Sequence, residues 1–193
     1  MPPIFVLMAK RLLMKKMLLL IICIFLGYIS FGQLMIIKSL GKNSNNSQLG
    51  YGTFVYYDIP LNDEGNKSVR IELLDFAYFP PKNPNIISTI GYLSIKAGYK
   101  KIFSESKTGF YIEPQAGYCR VVTYRKSTST EKTYGDGIAL ALETGYSLEV
   151  GQRGNTLNFG LKYESDLAGA DYSAQTLGLR FSYSFHLFRR KEN

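Results

Sequence analysis

Residue types that could carry out acid–base catalysis are scarce in this 193-residue sequence, in which His186 is the only histidine. A histidine that acts as a general base needs a hydroxyl nucleophile within hydrogen-bond reach. Ser184 shares the parity of His186 in an alternating segment, and Glu149 is a carboxylate that could orient the imidazole. The sequence adds no further catalytic group to this set. We therefore expect His186 to be a rim or interior histidine and the protein not to be an enzyme.

Two other chemical motifs are also interpreted as structural. The segment SESKTG, residues 104–109, contains an S-x-x-K and a K-T-G string, which are separate elements in penicillin-binding enzymes. Here the two strings overlap in one turn, so we interpret them as coincidence. Cys119 is the only cysteine after residue 32, which leaves it without a partner for a disulfide or a zinc site. The sequence predicts no metal site and no cofactor.

The positive charge of the chain does not indicate nucleic-acid binding. The formal net charge is +8, but Lys10, Arg11, Lys15 and Lys16 all lie before residue 33, in a segment without acidic residues. The other charges are interspersed along the chain, with no basic stripe that could follow a phosphate backbone. We expect no nucleic-acid partner.

The N-terminal segment has the layout of a secretory signal peptide. A cationic stretch is followed by an apolar run, residues 17–31, and by the small residues Ser30 and Gly32. The run is shorter than the roughly 20 residues of a comfortable membrane-spanning helix. We predict a cleavable signal peptide over residues 1–32, with Met14 as an alternative start, and a permanent anchor as the alternative.

The elements that must position any site are strands. From Gln48 onward, apolar and polar residues alternate with period 2, and helical apolar spacing is absent. Seven clear segments and a weaker eighth, residues 33–40, predict an all-β fold, an eight-stranded antiparallel up-and-down transmembrane β-barrel over residues 33–188. The clear segments are residues 48–59, 69–79, 89–103, 109–124, 135–150, 155–167 and 176–188.

Two irregularities and an alternation of connection lengths are predicted within this pattern. The apolar parity changes at Leu73 and Leu74, which predicts a β-bulge. Pro114 has no N–H for the ladder, so we expect a bulge or local irregularity there. Connections alternate between short ones, such as residues 104–108 and 151–154, and longer ones at residues 80–88, 125–134 and 168–175.

The composition of the two parities decides which face meets lipid. The apolar parity carries almost no charge, and tyrosines lie near segment ends, as in an aromatic girdle. The polar parity mixes charges with Gly, Ala and Ser, which fits a narrow, filled lumen. A soluble barrel with the faces inverted remains the alternative. The expected lumen charges are Arg70, Lys96, Lys100, Lys162 and Arg180 against Glu72, Glu113, Glu143, Glu149 and Glu164.

With these features the chain resembles the small outer-membrane β-barrels of Gram-negative bacteria, the OmpX type and the transmembrane domain of OmpA. The likeness rests on the signal peptide, the eight segments, GFYIEPQAGY (109–118) and TLGLRFSYSF (176–185). It implies a C-terminal signal for the barrel-assembly machinery, here Thr176, Gly178, Phe181 and Tyr183. Residues 189–193 would form a basic periplasmic tail.

The resemblance implies a cell outer-membrane location and a non-enzymatic role, structural or in surface interaction through the outer loops. Expected partners are outer-membrane lipid, the assembly machinery and an unknown extracellular molecule, and we expect a monomer. Two other functions remain open: a soluble exported barrel that binds a lipid or small ligand, and a lipid A-modifying outer-membrane enzyme. A wide pore is disfavoured, since an eight-stranded lumen is narrow.

Overall fold

The computed structural model describes residues 33–40, 44–45, 47–83, 87–126, 130–151, 154–168 and 174–184. The predicted signal peptide (1–32), His186 and the predicted tail (189–193) lie outside the described residues. Within the described ranges, no helix is long and apolar enough to cross a membrane.

Eight strands form a closed antiparallel barrel in which each strand pairs with its neighbours in sequence and β1 pairs with β8. The predicted eight-stranded antiparallel up-and-down barrel is confirmed. The strands are β1 (Leu34–Leu40), β2 (Gly50–Pro60), β3 (Lys67–Phe79), β4 (Ile87–Ile102), β5 (Gly109–Lys126), β6 (Thr130–Val150), β7 (Asn155–Leu167) and β8 (Ala174–Ser184).

The alternation of the sequence becomes an inside and an outside. Because successive side chains of a strand point to opposite faces, one parity enters the barrel and the other covers its surface. In β1, for example, Ile37 is 2% exposed whereas its neighbour Ile36 is 49% exposed. The outward parity is the apolar one, as the sequence predicts.

The bulge predicted in β3 is confirmed. Val55 pairs with Leu74 and Tyr56 with Glu72, so that Leu73 is the extra residue in β3. Leu73 and Leu74 are both exposed on the outer surface. The extra residue therefore shifts the alternation by one position, so that the apolar residues after the bulge also point outwards.

The local irregularity expected at Pro114 is present, as a break in pairing and not as a bulge. Pairing of β5 with β4 skips from Gln115 to Ile112, whereas Pro114 pairs with Leu142 of β6 without a register shift. Proline has no N–H to donate to a neighbouring strand, and the break affects one of the two neighbours only.

One expectation about the connections is wrong. The segment 125–134 is not a long loop, because β5 runs to Lys126 and pairs there with the start of β6. Its threonines favour strand structure.

We call the barrel end at which β1 begins and β8 ends the terminal end, and the other the distal end. Turns at the terminal end join β2 to β3, β4 to β5 and β6 to β7. Gly65 (φ 67°), Gly151 (φ 76°) and Gly154 (φ 69°) occupy left-handed backbone positions in these turns. Such φ values favour glycine, which explains how the chain reverses in short connections.

Candidate functional site

The inward faces of β3 to β8 bring charged side chains together inside the barrel. All seven residues of the main predicted set lie there, and each is almost completely buried. They come from six different strands, so only closure of the barrel makes them neighbours. The seven are Arg70, Glu72, Lys96, Glu113, Glu143, Lys162 and Arg180.

A central cluster surrounds the Glu72 carboxylate. Its oxygens accept hydrogen bonds from the Arg180 guanidinium and, at 3.3 Å, from Lys162 Nζ, and Lys96 Nζ lies 3.2 Å away. The same two ammonium groups bind Glu164, Lys96 at 2.9 Å and Lys162 at 2.5 Å. Arg180 also donates a 2.6 Å hydrogen bond to a further carboxylate, that of Glu143. Most charges of the cluster thus have more than one opposite partner, which offsets part of their desolvation cost.

A second cluster lies nearer the terminal end, around Arg70. Its guanidinium donates two hydrogen bonds to Asp58, at 2.7 and 2.8 Å, and lies 3.0 Å from Glu113. Gln115 Nε2 donates to the other oxygen of Glu113 at 2.6 Å. The two-bond geometry with Asp58 fixes the orientation of the guanidinium plane as well as its position.

Aromatic rings share the interior with these cations. The guanidinium of Arg180 lies 3.4 Å from the ring centroid of Phe54, and that of Arg70 lies 3.7 Å from the centroid of Tyr56. Lys100 Nζ lies 4.3 Å from the ring centroid of Tyr111. Such contacts gain strength where water is excluded, so each ring contributes to holding a buried cation.

Two glycines make room for Tyr111. Gly145 and Gly160 are paired on adjacent strands. A Cβ atom at Gly160 would lie 2.6 Å from the Tyr111 hydroxyl and 2.5 Å from Glu143 Oε1. The hydroxyl can therefore reach Glu143, to which it donates a 2.6 Å hydrogen bond.

The expected charge set needs one correction and two additions. Glu149 is not a lumen residue: its side chain is exposed at the terminal end, because it is the second-last residue of β6 and lies at the rim of the barrel. Asp75 is absent from the predicted set, although it binds both Lys96 (2.8 Å) and Lys162 (2.5 Å) inside the barrel. The change of apolar parity at the bulge could have identified it, because that change places Asp75 on the inward face. Asp166, fully buried near the end of β7, was missed as well.

The four predicted assembly-signal residues divide between the two faces of β8. Thr176 and Gly178 are buried inside, whereas Phe181 is exposed on the outside and Tyr183 partly so. Phe181 contacts Phe159 of β7 edge to face, with ring centroids 5.1 Å apart. Recognition of these four residues by the assembly machinery stays a prediction.

An ion pair marks the distal limit of the outward apolar surface. Arg120 and Asp136 oppose each other on β5 and β6, and two hydrogen bonds of 2.6 and 3.0 Å join them. Tyr118 and Ile138 precede them on the apolar side. The hydrogen bonds from Arg120 lower the pKa of the exposed Asp136 carboxyl to about 2.

The arrangement resembles that of solved outer-membrane barrels. No model of a known protein family matches the sequence, and no curated protein matches it. The chain is similar to the Neisserial surface protein A, with TM-score 0.61 and 16% identity over 83% of this chain and 97% of that one. It is also similar to Ail, the attachment invasion locus protein of Yersinia pestis, with TM-score 0.50 and 18% identity over 82% of this chain and 97% of that one. The chain thus has the fold of the small eight-stranded outer-membrane β-barrels, the OmpX and OmpA type that its sequence resembles.

Proposed function

We propose that this protein is a non-enzymatic, integral outer-membrane β-barrel of a Gram-negative bacterium, with a structural or surface-interaction role through its outer loops. The observation that carries the proposal is the contrast between the two faces of the barrel. The outer face is apolar: Leu34 of β1 is 69% exposed and Leu179 of β8 is 53% exposed. Arg180, the next residue of β8 after Leu179, points inside and is 1% exposed.

This contrast fits a lipid environment, because apolar side chains outside are costly in water and charged side chains inside would be costly in contact with lipid. A continuous apolar surface around a barrel would associate or aggregate in water, but lipid tails cover it without cost. Charges inside such a barrel are removed from lipid and paired with each other, as the Glu72 cluster is. A soluble carrier of an apolar ligand would need an apolar interior, and here ion pairs lie where its ligand would bind.

The proposal includes export through a signal peptide over residues 1–32, assembly through the β8 signal, and a monomeric state. We infer no catalytic role from the part of the chain that the structure describes. The Ser184 hydroxyl, the nucleophile considered above, shares a 2.7 Å hydrogen bond with the Tyr56 hydroxyl inside the barrel. We expect any partner to be met at the distal end, which is opposite the start of β1 and the end of β8.

Cell fractionation combined with gel migration tests the proposal. We expect the protein in the outer-membrane fraction, and we expect boiled and unboiled samples to migrate differently because the folded barrel resists detergent. Recovery as a soluble periplasmic protein, with one migration at all temperatures, would contradict it. An unchanged lipid A profile on expression of the protein would agree with a non-enzymatic role, and a modified profile would contradict it.

A further inference from the structure

Two lysines on the outer surface of the barrel lie directly opposite each other at its terminal end. Lys67, the first residue of β3, pairs in register with Lys101 of β4, and both side chains are exposed on the outward parity. Like charges that face each other on neighbouring strands are destabilising, because the Cβ atoms of such a pair are only about 4.5–5.5 Å apart. Lys101 Nζ lies 5.4 Å from the ring centroid of Phe103, and neither ammonium group has an ion pair with a described residue. The two positive charges therefore repel each other without a carboxylate between them.

The surroundings of this lysine pair are those of a membrane interface. Leu61 lies beside Lys67, because its N–H donates a 2.9 Å hydrogen bond to the Lys67 carbonyl. In the same way, Phe103 N–H donates a 2.8 Å hydrogen bond to the carbonyl of Phe110. Leu61, Phe103 and Phe110 are all more than half exposed. At such a border, lysines lay their methylene chains along apolar surface and extend their ammonium groups towards lipid headgroups.

The two ends of the barrel differ in how outward cations are neutralised. At the distal end, Arg120 has a carboxylate partner, because Asp136 faces it on the neighbouring strand. At the terminal end, the residue that faces Lys67 is a second cation. An anion from outside the chain would turn the repulsion between the two lysines into a shared attraction. A lipid phosphate suits this position, because lysines bind phosphate oxygens and the acyl chains of the same lipid would lie on the adjacent apolar surface.

We propose that Lys67 and Lys101 bind the phosphate group of one anionic phospholipid in the periplasmic leaflet of the outer membrane. Their ammonium groups donate hydrogen bonds to the phosphate oxygens, and Leu61 and Phe103 contact the acyl chains next to the headgroup. The inference rests on the proposed function, because it needs an outer-membrane barrel whose terminal end faces the periplasm.

The experiment uses the full folded chain in micelles of an uncharged detergent and measures its unfolding temperature by gel migration after heating. Phosphatidylglycerol is titrated as a mole fraction of the micelle, and a second series contains diacylglycerol with the same acyl chains but no phosphate. We expect only phosphatidylglycerol to raise the unfolding temperature, and to do so in a saturable way.

The variants locate this effect at the lysine pair. Lys67→Gln combined with Lys101→Gln should weaken the apparent affinity for phosphatidylglycerol about thirtyfold, at about fivefold for each lysine. Lys67→Arg combined with Lys101→Arg should retain the effect, because both charges remain. The matched control is Lys38→Gln, which removes an exposed lysine of β1 that faces Leu177 rather than a second cation, and it should also retain the effect.

A measurement without phosphatidylglycerol separates a lipid site from a structural role of the lysines. There the double glutamine variant should unfold at the same temperature as the unsubstituted chain or at a higher one, because the repulsion is removed. A lower temperature would overturn the proposal, and so would equal stabilisation by the two lipids or an unchanged affinity of the double glutamine variant. Such a result leaves the proposed function standing if boiled and unboiled samples still migrate differently. A chain that stays soluble without detergent would instead contradict the proposed function itself.

Discussion

Replacing Arg180 with methionine tests whether the interior charges form a dry, mutually dependent network. The substitution keeps an unbranched side chain of similar length but removes hydrogen bonds to Glu72 and Glu143 and the stacking on Phe54. Glu72 would keep Lys96 and Lys162 as partners. Glu143 would keep the hydrogen bond from Tyr111, which carries no charge. Most of the penalty should therefore come from Glu143.

The magnitude follows from removing one partner of a buried pair, which costs about 3–5 kcal/mol. A loss of about 4 kcal/mol changes the unfolding equilibrium constant by roughly a thousandfold. The assay is a urea titration of the protein in lipid vesicles, followed by gel migration, since the chain contains no tryptophan for fluorescence. Adding Glu143→Gln to Arg180→Met should recover part of the loss, with a coupling of about 0.5–3 kcal/mol between the two positions.

Arg120→Met is the matched control, because it also breaks an arginine–carboxylate pair, but one on the exposed outer surface. Surface pairs contribute little, so we expect a much smaller change. Equal effects of the two substitutions would refute the reasoning. They would mean that water screens the Arg180 pairs as it screens the surface pair.

Three further predictions concern other parts of the barrel. Because Arg120 lowers the pKa of Asp136 to about 2, below its ordinary value near 3.9, the pair should contribute above about pH 4 and be lost as the pH falls towards 2; carboxyl NMR titration should show this midpoint, and Arg120→Gln should raise it. Gly160→Ala should destabilise the barrel by about 1–3 kcal/mol in the urea titration, since the new methyl group meets a hydroxyl and a carboxylate; no loss would show that these groups can move aside. Phe181→Ala and Phe159→Ala remove the same ring contact and should slow refolding into vesicles equally; if Phe181 belongs to the assembly signal, only its substitution should reduce assembly in cells.

The fold could be predicted from the sequence because every strand repeats one simple rule. Alternation of period 2 gave the eight strands, the outward face and even the bulge at Leu73 and Leu74. The ends of strands were less predictable, since β5 and β6 continue pairing through residues that look like a polar loop. Hydrogen bonding between the two strands, rather than burial of apolar side chains, extends the sheet there.

The interior charges could be predicted individually but not as a network. Parity places Arg70 and Glu113 inside, yet only barrel closure and side-chain reach decide that they meet at 3.0 Å. Asp75 follows the bulge, where counting parity requires knowing which residue is extra. The stacking of Arg180 on Phe54, which lies on β2, depends on the curvature of the barrel, which the sequence does not express.

The buried charges also explain how the barrel maintains one register. In β8, Leu179 is outside and Arg180 inside, paired with Gly160 of β7 and Met35 of β1. A slip by one residue would turn Arg180 outwards and Leu179 into the charge cluster. Such a slip would leave Glu72 without its arginine and expose a cation on an apolar surface, so it is penalised on both faces. With an apolar interior, such a slip would exchange apolar residues for apolar residues, and neither face would be penalised. The charges therefore select the register even where each pair, measured against an apolar replacement, contributes little stability.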